Sequence, residues 1–475
     1  MIKINKKIYF IIVIFFILLL YLFYEKNYLK NFKYYIKDKV HYFIHEKYIA
    51  IFNVLIGNIK YQNILDNYNK TFLPETQLAN LNFKKIKIDF FDLNNIRAQD
   101  NELYGIKNPR PSGLRSFFIE INTNIKNEFD LYIIDKFGKF YLVKNKILFT
   151  DINKINFKDV TEIKSNLEPT KVLGTLINKN KIYISYVTYD ELRKCNLLNI
   201  SVSELNSKYL NFKKFFHSSE CAMEVYGGRM AFLNGDPAYS DEKNNKRENS
   251  KFILLTTSNE VFSDKNISKN IYNNSAQNDN SIFGKILAIN IKNQKYFILS
   301  KGHRNPQGLI VISPPHLSNQ EFKNIILETE HGPRGGDEIN KIIYKKNYGW
   351  PISSYGTPYD KNQKNEYIDN HKNKKFEEPI FVFFQSIGIS QIIQLPNKFL
   401  NLWNNNFILS SLWDKSIYRI KFNENFDKVI YYEKIFIGER IRDLKYVEKE
   451  NVIVLALEST SGSYIGVLSV NKKNN

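Results

Sequence analysis

A chain of 475 residues with 43% hydrophobic and 15% aromatic content can bury a substantial core, which argues against a disordered or low-complexity protein. The formal net charge of +20 comes mostly from lysines dispersed among Asn and Ile. With no Arg-rich stripe and no nucleic-acid motif, it reads as a basic solvated surface and excludes a nucleic-acid partner. Two cysteines, Cys195 and Cys221, are too few for a disulfide scaffold and lack metal-site spacing. They form either one bridge in an oxidising compartment, worth about 3 kcal/mol by loop closure, or two buried thiols.

Ile8 to Tyr24 carries no charge and is nearly all Ile, Phe, Leu, Val and Tyr, just long enough for a spanning helix. Lys3, Lys6 and Lys7 before it place the short N-terminus in the cytoplasm, although Lys26, Lys30 and Lys33 after it pull the other way. No small-residue cleavage site follows. Residues 1–25 therefore read as a cytoplasmic tail and an uncleaved signal-anchor transmembrane helix. The expected location is the inner membrane, single-pass, with the C-terminal domain periplasmic. In residues 26–80, Leu29, Phe32, Ile36, Val40 and Phe43 recur near helical spacing, an amphipathic linker that lies on the membrane or packs on the domain.

From residue 81 the texture changes to short β-branched and aromatic runs separated by turns. Strands are expected at 117–121, 131–134, 140–143, 181–187, 252–255, 285–289, 407–409, 417–420, 452–457 and 464–468. Close spacing without long intervening helices means an all-β fold. Some 390 residues exceed one sandwich and suit six four-stranded blades of roughly 65 residues, a six-bladed β-propeller over 81–475. Ser240–Lys251 and Ser263–Ser281, rich in Asn, Lys, Ser and Asp, read as long surface loops.

One stretch stands apart from this background. It contains Gly302-His303-Arg304-Asn305-Pro306-Gln307-Gly308, then Glu330-His331-Gly332-Pro333-Arg334-Gly335-Gly336-Asp337-Glu338, then Asn347-Tyr348-Gly349-Trp350-Pro351. Glycines and prolines at this density make stiff loops that hold the polar groups between them. Further along, Arg440 and Arg442 are two apart, so on a strand they face one side. One reading pairs Arg440 with Asp443 or Glu439.

This series, with Tyr226-Gly227-Gly228-Arg229-Met230-Ala231-Phe232 and Gly284-Lys285-Ile286-Leu287, resembles the PQQ-dependent soluble glucose dehydrogenase and aldose sugar dehydrogenase (glucose/sorbosone dehydrogenase) family of six-bladed propellers. The resemblance covers roughly residues 113–470. It implies that Arg304, Asn305, Gln307, Arg440 and Arg442 bind PQQ, a planar quinone with three carboxylates. It also implies calcium on Glu338 and the backbone carbonyl of Tyr348, and a second ion on backbone oxygens of Gly332 and Pro333; alternatively Glu338 only caps its loop. The family often carries a histidine at the place of His331.

Departures from the family pattern are as informative. Counting back from Gly228, the position of the catalytic general base is Val225, which cannot accept a proton. The cofactor lysine falls on Trp413, with Lys415 two residues on, and an early glutamine has no counterpart near Leu173-Gly174. His217, eight residues before Val225, is not expected to substitute. The resemblance implies a PQQ- and calcium-dependent oxidoreductase acting on a sugar or polyol. The alternative is a catalytically inactive propeller binding a glycan, envelope component or protein partner. A calcium-assisted hydrolase is a third option, but no carboxylate or Ser/His arrangement supports it.

Overall fold

The computed structural model describes residues 81–88, 116–123, 129–143, 160–235, 250–259, 274–313, 324–358, 371, 375–400, 403–459 and 462–470. The expected signal anchor and amphipathic linker lie outside these residues. Among the described residues no helix is long and apolar enough to cross a membrane.

The described strands form six sheets, antiparallel but for one short parallel pair. Blade 1 is β2 (Phe117–Thr123), β3 (Phe129–Asp135), β4 (Phe140–Val143) and β5 (Val160–Ser165). Blade 2 is β6 (Lys171–Asn178), β7 (Lys181–Asp190), β8 (Cys195–Glu204) and β10 (Lys213–Ala222), with β9 (Tyr209–Leu210) crossing back to pair in parallel with β5. Blade 3 is β11 (Gly227–Asn234), β12 (Lys251–Thr257), β13 (Lys285–Asn290) and β14 (Tyr296–Lys301). Blade 4 is β15 (Pro306–Ile312), β16 (Ile325–Glu330), β17 (Asp337–Lys341) and β18 (Phe381–Phe383). Blade 5 is β19 (Ile389–Gln394), β20 (Phe407–Ser411), β21 (Ser416–Phe422) and β22 (Val429–Phe436).

Blade 6 closes the ring. It comprises β23 (Arg440–Val447), β24 (Val452–Ser459) and β25 (Gly462–Val470), and its outermost strand is β1 (Leu81–Ile88). Strand β1 pairs with β25 from Leu81↔Val470 to Ile88↔Ser463. Residues nearly 400 positions apart thus share a ladder, and the ring is held shut by backbone hydrogen bonds. The first strands of the blades, β2, β6, β11, β15, β19 and β23, contact one another in sequence around the axis. The expected six-bladed propeller is observed, and every expected strand falls inside an observed one.

Strand alternation explains the core. A blade packs against a neighbour on each face, so both faces of its strands are buried and its sequence reads as a continuous apolar run. In β24, Ile453, Leu455 and Leu457 pack toward blade 5 while Val452, Val454 and Ala456 pack toward blade 1. The same division places Leu409 and Tyr418 against blade 4, and Ile408 and Ile417 against blade 6. Each remaining interface between successive blades carries its own apolar cluster.

Cys195 and Cys221 are joined, with Cα atoms 5.7 Å apart, so the bridge rather than the free thiols is observed. It links β8 to β10 at the edge of blade 2. The expectation of a surface loop over Ser263–Ser281 holds only in part. Asn278, Asp279 and Asn280 are exposed, but Asn274, Ala276 and Ser281 are buried. The carbonyls of Ser275, Ala276 and Phe283 accept hydrogen bonds from Lys285 Nζ at 2.6, 3.1 and 2.8 Å. A polar sequence is folded inward here because an internal ammonium satisfies its backbone. Lys251, likewise expected in a loop, opens β12.

Candidate active site on the propeller axis

Arg304, Asn305 and Gln307 lie where β15 begins. Glu330, at the end of β16, clamps their turn: its Oε2 accepts from the backbone amides of Arg304 (2.6 Å) and Asn305 (3.4 Å). The Arg304 guanidinium donates to the His331 carbonyl at 3.0 Å and lies 5.2 Å from the Trp350 ring centre, a cation–π placement. Gln307 Nε2 donates to Asn305 Oδ1 at 2.8 Å. His331 Nε2 is 2.5 Å from the Ile389 carbonyl, which can only accept, so Nε2 carries the proton and Nδ1 the lone pair. Burial holds the His331 pKa below the usual imidazole value, and the Arg304 and Arg442 charges add to this.

Arg440 and Arg442 open β23 and do face one side. Both pair with Glu458 of β24, Nε to carboxylate, at 3.1 and 2.7 Å. The alternative partners are otherwise engaged: Glu439 pairs with Lys85, and Asp443 with Arg229. Glu458 is fully buried. Burial opposes its ionisation, yet Arg442 and Arg440 outweigh that and hold its pKa below the usual carboxylate value. The stability this contributes is present above the unfolded carboxylate pKa, about 4.3, and is lost as pH falls through the lower folded value. Glu458→Gln should therefore flatten the acid limb of the stability–pH curve, measured by denaturation in urea; an unchanged acid limb would remove Glu458 as its cause.

Arg229 brings the two sets together. Its Nε donates to the Gln307 carbonyl at 2.8 Å and its Nη2 to the Arg442 carbonyl at 2.6 Å. Its Nη1 pairs with Asp443 at 3.0 Å, both side chains being almost completely buried. One guanidinium on the axis thus spans blades 3, 4 and 6. Gly227 and Gly228, with φ of 80° and 82°, shape the approach to β11, a backbone that other residues rarely adopt. Beneath this layer Glu120 accepts from Thr175 (2.7 Å) and Lys445 (2.8 Å), so the channel is filled by satisfied charges.

The expected calcium residues lie in the β16–β17 connection and beyond it. Gly332 and Pro333 are buried, and Gly332 donates its amide to Asp337 Oδ1 at 3.0 Å. Gly335 and Gly336, with φ of 76° and 72°, let the connection fold tightly over Gly356 and the Phe384 carbonyl. Glu338 is 6% exposed, and burial and then Glu330 push its pKa well above the usual carboxylate value. Such a carboxyl suits a hard cation. The Tyr348 carbonyl accepts from His371 Nε2 at 2.9 Å, and its ring stacks on His303 at 4.7 Å. Tyr348 stacks on His303, His303 touches Glu330, and Glu330 sits opposite Glu338 across the ladder.

Val225 is 4% exposed and packs in the apolar cluster between blades 2 and 3 with Leu173, Phe215 and Met230. His217 lies on β10, the outermost strand of its blade, against Asn199 at 2.6 Å and away from the axis. Trp413 and Lys415 sit in the β20–β21 turn; the Leu412 carbonyl of that turn accepts from Arg440 at 3.4 Å. Sequence reasoning missed Glu458, Glu330 and the Arg229–Asp443 pair. Glu458 gave no local signal, whereas Glu328-Thr329-Glu330, two acids on one face of a strand, did.

Comparisons with known proteins agree with this fold. The aldose sugar dehydrogenase YliI of Escherichia coli K12 is 32% identical over 169 residues, 34% of this chain and 42% of that protein. Quinoprotein glucose dehydrogenase B of Acinetobacter calcoaceticus is 38% identical over 79 residues, 14% of this chain and 15% of that protein. The chain thus matches less than half the length of these curated relatives. A crystal structure of a glucose dehydrogenase superposes with a TM-score of 0.57 at 20% identity, over 74% of this chain and 95% of that one. The apo soluble aldose sugar dehydrogenase of Escherichia coli does so at 0.55 and 18%, over 75% and 100%. These likenesses show the fold. The Glucose / Sorbosone dehydrogenase family model matches residues 127–465, which take in most of the six blades and Arg229, Arg304, Asn305, Gln307, Arg440 and Arg442, and on that ground the chain belongs to the glucose/sorbosone dehydrogenase family.

Proposed function

We propose that the protein is a PQQ- and calcium-dependent oxidoreductase that oxidises a sugar or polyol, exported to the periplasm and anchored in the inner membrane by residues 1–25. The observation that carries this reading is the convergence of Arg304, Asn305 and Gln307 with Arg440 and Arg442 around the guanidinium of Arg229. Arginines at one rim match a ligand with several carboxylates. Arg442 keeps 17% of its side chain exposed while Glu458 holds its Nε, so the fork is oriented and its outer edge is available. When bound, PQQ supplies a hydride-accepting ortho-quinone. Glu338 and the carbonyls of Tyr348, Gly332 and Pro333 are the groups assigned to calcium.

The usual base position is Val225, buried in the core, so the substrate hydroxyl proton must leave by another route. His331 offers one: at the rim, neutral, with an unprotonated Nδ1 facing Asn305. Burial of the base position also favours the second reading, an inactive propeller that binds a glycan, envelope component or protein partner through the same face. Titrating PQQ into the full-length chain with calcium, and then with a chelator, separates them. Stoichiometric, calcium-dependent binding followed by dye reduction with an aldose is expected. No binding at micromolar PQQ by folded protein would end the dehydrogenase reading.

A further inference from the structure

Blade 2 is irregular at its outer edge. Strand β10 pairs with β8 at His217↔Asn199 and next at Cys221↔Leu197. Three residues of β10, Ser218, Ser219 and Glu220, thus stand opposite Leu198 alone and bulge from the ladder. Side chains hold the bulge. Ser218 Oγ accepts from the Leu198 amide at 3.0 Å, and Arg193 Nη1 donates to the Ser219 carbonyl at 2.9 Å. The Cys195–Cys221 bridge pins its far side.

A bulge re-aims a side chain, and this one turns Glu220 out of its own blade. Its Oε1 accepts from Ser281 Oγ at 2.6 Å and its Oε2 from the Ile282 amide at 2.8 Å, both in the β12–β13 connection of blade 3. That connection meets the rim of the axial site at three points. The Ala276 carbonyl accepts from the Gly302 amide at 3.1 Å. Ser275 Oγ donates to Asn259 Oδ1 at 2.6 Å, and the Asn259 amide donates to the Arg304 carbonyl at 2.8 Å. Gln277 Nε2 donates to the carbonyl of Trp350, whose ring lies against the Arg304 guanidinium. Glu220 also supports the charge inside the connection. Burial pushes the Lys285 pKa down to about 7, and Glu220 acts against that shift. Loss of Glu220 near neutral pH would therefore weaken the ammonium that holds the carbonyls of Ser275 and Ala276.

We propose that Glu220 is a positioning residue of the axial site and that the Cys195–Cys221 bridge sets its hold, so that reducing the bridge slackens the turn carrying Arg304. The contacts are continuous from bridge to bulge, from Glu220 to the β12–β13 connection, and from there to Arg304. A charged acceptor serving two donors is the strongest hydrogen-bonded link among them. Cys221 is half-buried and Met223, two residues on, is 72% exposed, so a reductant reaches the bond from solvent. The step is thiol–disulfide exchange with a dithiol. One thiolate of the dithiol attacks a bridge sulfur and the S–S bond breaks. Its second thiol then displaces that sulfur, so two cysteine thiols form and the dithiol closes its own disulfide.

The proposal deepens the reading of the axial site, but its first readout needs no PQQ. Amide hydrogen exchange is measured on the ligand-free full-length chain, oxidised and in dithiothreitol. The chain holds two cysteines, so the reductant acts on this bond alone. Exchange in 274–283 and 302–305 is expected to quicken by about tenfold or more, the equivalent of one hydrogen bond to a charged group. Strands β20 and β21 should keep their protection. Glu220→Ala should give the same local pattern with the bridge intact, and Glu220→Gln a smaller one. Reducing Glu220→Ala should add little, because both changes act on one strut. PQQ affinity is compared in Glu220→Ala and in a Cys195→Ser, Cys221→Ser variant, since dithiothreitol would reduce the quinone. Both should bind about fivefold more weakly than the wild type.

Faster exchange confined to β8 and β10 would overturn the proposal. Faster exchange spread equally over all six blades would overturn it too, because that is lost global stability and not positioning. Altered exchange with unchanged PQQ affinity would do the same. Should Glu220→Ala not fold, the reduced wild type decides among these outcomes. If PQQ does not bind the wild type at all, the dehydrogenase reading fails while the exchange result still decides this one.

Discussion

Replacing Arg229 with alanine is expected to destabilise the propeller by about 3–5 kcal/mol, the usual effect of stripping one partner from a buried ion pair. Arg229 and Asp443 are 4% and 0% exposed in their side chains. Asp443 also accepts from the Ile119 amide of blade 1 at 3.2 Å, and Ser390 of blade 5 donates to the same Arg442 carbonyl that Arg229 uses, at 2.8 Å. Loss of the guanidinium would leave the buried Asp443 carboxylate and the Gln307 carbonyl each short of a donor, while the Arg442 carbonyl keeps Ser390. Burial pushes the Arg229 pKa down and Asp443 pushes it back up, the two sides of that balance. Denaturant unfolding of the full-length chain provides the measurement. A loss below 1 kcal/mol would mean that the axial charges are dispensable and that packing between the blades alone closes the ring. Replacing Arg229 and Asp443 together by apolar residues of similar volume is expected to be much milder than either single change, since no charge is then stranded.

Arg442→Ala should weaken PQQ binding by about 10- to 100-fold, the equivalent of one charge-assisted contact of roughly 1.5–3 kcal/mol. Arg440 remains to pair with Glu458 in this variant, so folding should survive. Calorimetric titration of wild type and variant with PQQ at fixed calcium compares them directly. Equal affinities would detach Arg442 from the cofactor and leave it as a partner of Glu458 only. The distinction matters because a carboxylate between two arginines can either orient them for a ligand or occupy the place of one. The exposed edge of Arg442 favours the former, and the titration decides it.

Much of the architecture was legible before any coordinates. Continuous β-branched and aromatic runs such as Phe140–Val143 and Val452–Leu457 mark strands whichever blade they join, because an extended chain buried on both faces needs apolar residues at successive positions. The glycine- and proline-rich stretch from Gly302 to Pro351 stood out as a candidate site, because such residues fold backbone tightly around polar groups. Arg440 and Arg442 were placed on one face by spacing alone. Their true partner was not, since Glu458 meets them through the β23–β24 register, and Arg440 opposite Glu458 is a fact of pairing rather than of sequence distance. The inward fold of Asn274–Ser281 was hidden for the same reason: its polar composition predicts solvent, and only Lys285 reaching its carbonyls turns it inside.

By itself, then, the sequence determined the strands, the class of fold, the family and the identity of the arginines at the rim, all of which depend on local composition and order. Tertiary structure alone decided which charges meet. It set Arg229 against Asp443, 214 positions away, gathered Glu328, Glu330, Glu338 and Asn340 into one buried square, and sealed the ring with β1 against β25. The physical reason is that Coulombic and hydrogen-bond energies fall off with distance in space and burial in low dielectric, neither of which separation along the chain reveals.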